Sequence, residues 1–77
     1  MSRYHKQINE NKELFYGSDH ALGYWYEVWD RNEDEECPVE VGDQALEHTT
    51  RTKIIEVFEK YDVEAGHINS VLYNLPF

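Results

Sequence analysis

Apolar positions along the chain follow a two-residue repeat in its first half and a three-and-four-residue repeat in its second, which predicts strands first and helices afterwards. Leu14, Phe15 and Tyr16 form a short apolar stretch. Gly17, Ser18 and Asp19 follow it and all tolerate turn geometry, so residues 13–16 are expected as a first strand that ends in a turn. Residues 21–30 are dominated by the aromatic and β-branched types that suit a pleated surface and form the clearest strand of the chain. Alternation places Leu22, Tyr24, Tyr26 and Val28 on one side of it and Gly23, Trp25, Glu27 and Trp29 on the other. Both sides carry aromatic rings, so neither is simply a wet face.

The next six residues, Arg31-Asn32-Glu33-Asp34-Glu35-Glu36, are too polar and too like-charged to pack and are expected as a hairpin loop. Beyond it Val39 and Val41 share a face of a short third strand over 37–41, placed at the sheet edge because Pro38 has no N–H to donate to a ladder. Gly42 and Asp43 are expected to end it. Thr49 or Thr50 then offers an N-cap, and Ile54, Val57, Phe58 and Tyr61 fall at i, i+3, i+4 and i+7, so an amphipathic helix is expected over 50–61. Asp62 is read as the cap of a second helix over 64–75, with Ile68, Val71, Leu72 and Leu75 as its apolar stripe and Pro76 as its stop.

These elements describe an α+β fold: a small antiparallel sheet of about three strands followed by two helices, β-β-β-α-α, with both helices on one face of the sheet. Residues 1–12 hold Arg3, Lys6 and Lys12 among amides and histidine, with Tyr4 and Ile8 as apolar anchors, and read as a loose N-terminal arm in front of one domain over 13–77.

A chain of 77 residues supports one core and leaves no room for a separate cofactor-binding domain. No apolar run approaches the roughly 20 residues of a membrane span, and Met1-Ser2-Arg3-Tyr4-His5-Lys6 leads into polar sequence, so a soluble, cytoplasmic protein with no membrane partner is expected.

Charge changes the picture more than composition does. Sixteen acids face seven bases, a net charge of -9 that disfavours direct contact with nucleic acid. The excess is confined to residues 19–50, which hold ten carboxylates and one base, Arg31; the remaining segments carry six of each sign. A dense carboxylate surface beside aromatic side chains suits a basic groove on another protein. Electrostatic steering would speed that encounter, and Trp25, Trp29, Tyr24 and Tyr26 would anchor it.

Arrangements that carry chemistry are less well formed. Asp30, Asn32 and Asp34 occupy the first, third and fifth positions of an EF-hand-like pattern, but Glu35 stands where the loop requires Gly, and Val41 where it requires a bidentate Glu. His5, His20, His48 and His67 have no spacing that puts two imidazoles on one helix face. Cys37 lies in an acidic setting that disfavours its thiolate, and it has no second thiol to pair with. No nucleophile, base and oxyanion-stabilising set can be assembled, so neither an enzyme nor a metal or cofactor site is expected.

The small size, the single cysteine, the segregated acidic surface and the run Tyr-Gly-Ser-Asp-His-Ala-Leu-Gly-Tyr-Trp-Tyr over 16–26 together resemble the small acidic proteins that phages and mobile elements use against host defence, in particular anti-CRISPR and anti-restriction inhibitors, some of which imitate nucleic acid. The resemblance implies a stoichiometric inhibitor, monomer or homodimer, seated in the nucleic-acid channel of a defence complex. Glu33, Asp34, Glu35 and Glu36 would stand in for phosphates, and Glu27, Asp30 and Glu40 would extend the track if the strands place them on one side. Two other readings stay open: an acidic immunity protein or antitoxin that covers a basic nuclease, and a small structural module that dimerises through its helices and aromatic rings.

Overall fold

The computed structural model describes residues 3–19, 21, 23–33, 36–75 and 77. Among them four strands, β1 (Tyr4–Gln7), β2 (Lys12–Asp19), β3 (Gly23–Asp30) and β4 (Glu40–Asp43), precede two helices, α1 (Arg51–Lys60) and α2 (Ala65–Leu72). The strands form one antiparallel meander in the order β1-β2-β3-β4. The fold is α+β with strands first and helices last, as the sequence predicts, with one strand more than the three expected.

The additional strand lies in the segment expected as an arm. Tyr4 pairs with Tyr16 and Lys6 with Leu14, so Tyr4, Lys6 and Ile8 alternate toward the helix side with Lys6 between the two apolar anchors. The hairpin is fixed by Asn9, whose Oδ1 accepts the backbone N–H groups of Asn11 and Lys12, both at 2.9 Å. A polar residue at the middle inward position hides the alternation, and a side-chain-built turn replaces the glycine that usually marks one.

Gly17, Ser18 and Asp19, expected as a turn, continue β2 and pair with Trp25, Tyr24 and Gly23. Gly17 is buried opposite Trp25. The turn comes later, where Asp19 Oδ1 accepts the Ala21 N–H at 2.8 Å; His20 and Leu22 lie outside the described residues. The last strand is the edge strand expected from Pro38, but it begins after that proline and includes Gly42 and Asp43 in register with Tyr26 and Trp25.

Thr50 caps α1, with extended backbone and its Oγ1 accepting the Lys53 N–H at 3.1 Å. Ile54, Val57, Phe58 and Tyr61 are all buried, so the helical spacing is the packing face. They meet Leu14, Tyr16, Tyr24, Tyr26 and Val28 from the sheet, and Val63 and Val71 complete the core. No buried residue in this set is charged.

Asp62, expected to start α2, instead ends α1. It sits at φ 56° behind the C-cap Tyr61; its N–H reaches the Glu59 carbonyl at 3.2 Å, and that of Val63 reaches Phe58 at 2.9 Å. This is a Schellman motif, with Val63 and Phe58 as its buried apolar contact. The second helix ends the same way: Asn74 lies at φ 58°, its N–H bonds to Val71 at 3.2 Å, and that of Leu75 bonds to Ser70 at 2.7 Å. The helix therefore stops at Leu72 and not at 75. Of its expected stripe Val71 is fully buried and Ile68 partly so, while Leu72 and Leu75 are about half exposed.

Candidate functional site

Strand parity decides what lies on each side of the sheet. The even-numbered residues of β2 and β3 point at the helices. Phe15, Trp25, Glu27 and Trp29, with Glu13 and the edge residue Val41, therefore share the opposite face, which no helix covers. The same parity in β1 adds His5, and Arg3 just before that strand reaches the same side.

Cations, rings and carboxylates alternate across this face. The Arg3 guanidinium lies 4.7 Å from the centre of the Phe15 ring and 5.3 Å from that of Trp25, and 3.7 Å from Glu27 Oε2. His5 stacks on Phe15 at 4.8 Å and stands 3.8 Å from Glu13, whose other oxygen takes Arg31 at 3.1 Å. The Arg3 and Arg31 side chains are more than half exposed, and exposed pairs of this kind contribute about 0–1 kcal/mol each. Phe15, Trp25 and Trp29 are thus partly exposed, with Arg3 lying over the first two. The indole N–H groups of Trp25 and Trp29 are buried and find no acceptor among the described residues.

Beside Trp25 the face opens into a cleft of about 260 Å³ that runs toward β4 and is lined by Arg3, Asp19, Trp25, Glu27, Val41 and Asp43, among others. Asp43 also organises the loop beyond β4 by accepting the N–H groups of Leu46 and of Glu47, the latter at 3.2 Å.

Of the residues expected to bind a partner, Trp25, Glu27 and Trp29 are brought together here, whereas Tyr24 and Tyr26, also expected as anchors, have the opposite parity and are buried in the core under the helices. Glu33 and Glu36 are exposed in the loop after β3, and Asp34 and Glu35 lie outside the described residues. Asp30 and Glu40 do not extend a track with Glu27. Asp30 is three residues from Glu27 on the same strand, hence of opposite parity, and its Oδ1 accepts the Asn32 N–H at 3.0 Å. Glu40 pairs with Val28, faces the helix side, and lies 3.4 Å from the Tyr26 hydroxyl at the edge of a smaller cleft with Lys53 and Lys60. Arg3 and Phe15 belong to the face but were not among the expected residues. Phe15 has the parity of Trp25 once β2 and β3 are paired; nothing in the sequence marks Arg3 until β1 is recognised as a strand.

On the helix side the Tyr16 hydroxyl lies 2.7 Å from His67 Nδ1, and His67 Nε2 lies 3.9 Å from Glu64. The phenol is buried among Tyr4, Phe58 and Phe77, and that burial, followed by the charge of Glu64, raises its pKa. A neutral phenol hydrogen-bonded to an imidazole inside an aromatic cluster satisfies a buried hydroxyl and belongs to the core. Among the described residues no group of three or more His, Cys, Asp or Glu side chains is placed to hold a metal ion, and no helix is long and apolar enough to cross a membrane.

No protein-family model matches the chain, and no curated protein and no solved structure gives a significant match.

Proposed function

We propose that this chain works by binding and not by catalysis, as a stoichiometric inhibitor that occupies the basic nucleic-acid-binding surface of a host defence complex, in the manner of an anti-CRISPR or anti-restriction protein. The observation that supports this reading is the open face of the sheet, where Trp25 and Trp29, from the segment over 19–50 that carries the whole net charge, lie with Phe15 beside carboxylates. Large aromatic side chains with partly exposed surface are the usual anchors of protein interfaces. The surrounding acids select a basic partner, accelerate its approach and repel nucleic acid itself. Glu33 and Glu36, exposed in the loop after β3, add to that field.

A tagged pull-down from host lysate tests the reading when run at low and high salt, with and without added DNA or RNA. The expected partner is a basic nucleic-acid-binding protein that is released at high salt and by the nucleic acid. A partner retained under both conditions overturns it. As a second reading, the exposed apolar Leu72, Tyr73 and Leu75 at the end of α2 favour a module that pairs with its own copy. Light scattering that gives twice the monomer mass would support that reading.

A further inference from the structure

Resting on the reading that the open face meets a basic partner, we infer that the cleft beside Trp25 is a receptor for one arginine side chain of that partner, and that Arg3 on its wall is an internal stand-in for it. The cleft is small. At about 260 Å³ it falls below the roughly 300–1,000 Å³ typical of drug-sized ligands and suits a single long side chain. Its lining includes Trp25, and the carboxylates of Glu27 and Asp43 stand on it beside the Arg3 guanidinium. An aromatic face with carboxylates beside it selects a flat, delocalised, weakly hydrated cation that stacks and hydrogen-bonds together. Arginine meets that description better than lysine, whose compact ammonium holds its water tightly.

Arg3 shows how such a group sits. Its guanidinium lies over both Trp25 and Phe15 and is within ion-pair distance of Glu27. Its hold is weak, because the side chain is 53% exposed and the residue stands just outside β1. An arginine already oriented on a folded partner surface loses little side-chain freedom on docking. With Arg3 displaced, Glu27 and Asp43 face the incoming charge, and the displaced guanidinium moves into solvent. The device keeps a guanidinium over Phe15 and Trp25 in the unbound protein and exchanges one cation for another on binding.

Calorimetric titration of the intact protein with octa-arginine and octa-lysine, peptides of equal charge, tests this. Octa-arginine is expected to bind about fivefold more tightly. Arg3→Ala is expected to tighten its binding about threefold, and by more than Lys53→Ala, which removes the same charge from the helix side. Glu27→Gln is expected to weaken it about fivefold while leaving the near-ultraviolet circular dichroism of the tryptophans unchanged. Equal affinity for the two peptides, with Arg3→Ala no different from Lys53→Ala and Glu27→Gln without effect, overturns the arginine receptor but leaves the acidic-surface reading standing. Absence of binding by either peptide overturns both.

Discussion

The ring of Tyr26 lies across residue 42 on the neighbouring strand so closely that a β-carbon on Gly42 would fall 2.3 Å from Cε1 of the phenol. Tyr26 is 2% exposed and held on all sides by the core, so the ring has little freedom to withdraw. The sheet edge that borders the cleft therefore depends on a glycine. Gly42→Ala is expected to lower stability by about 1–3 kcal/mol in urea unfolding. Gly66→Ala, on α2 with its nearest contact at 3.9 Å, is expected to raise it by about 0.5–1 kcal/mol. Equal effects at the two sites would mean that the contact with Tyr26 yields readily.

The same phenol sets an alkaline limit. Burial, then the charge and hydrogen bond of Glu40, then Tyr61 push the Tyr26 hydroxyl up to about 12. Burial shifts Tyr16 and Tyr24 in the same direction, with Arg51 partly opposing it at Tyr24. Folding favours the protonated phenols, so their contribution is complete below the ordinary tyrosine value near 10.0 and is lost as pH rises from there toward about 12. Unfolding free energy measured from pH 9 to 12 is expected to fall across that window, and less steeply in Tyr26→Phe. Parallel declines in the two proteins would show that Tyr26 does not set the limit.

Asp62 holds a backbone conformation that costs a residue with a β-carbon about 1 kcal/mol, and it places a carboxylate at the C-terminal end of α1, where the helix dipole disfavours it. Asp62→Gly is expected to raise Tm by several degrees, with Asp62→Asn giving a smaller gain that isolates the charge. A fall in Tm with glycine would show that the aspartate makes a compensating contact.

What could be read in the sequence divides along physical lines. The first helix was legible because Thr50 caps it and its four apolar residues both define the period and fill the core. Parity within β3 was legible for the same reason, and with it the grouping of Trp25, Glu27 and Trp29. The first strand was not, since Lys6 occupies its middle inward position and Asn9 builds its turn with a side chain. Asp62 suits an N-cap and an αL position equally, and only the bonds to Glu59 and Phe58 distinguish the two. The acidic track failed on register: Glu40 lies opposite Val28, a pairing that depends on how the loop over 31–39 is spanned.

The proposed function seats a basic partner on the open face and not on the acidic loop alone. Nitrogen-15 NMR of the labelled protein titrated with octa-arginine tests it most directly, because Trp25 and Trp29 are the chain's two tryptophans and both lie on that face. Both indole N–H resonances and the amides of Phe15, Glu27 and Val41 are expected to shift and saturate together, while those of α1 stay in place. Shifts confined to residues 31–37, with the indoles unmoved, would contradict it.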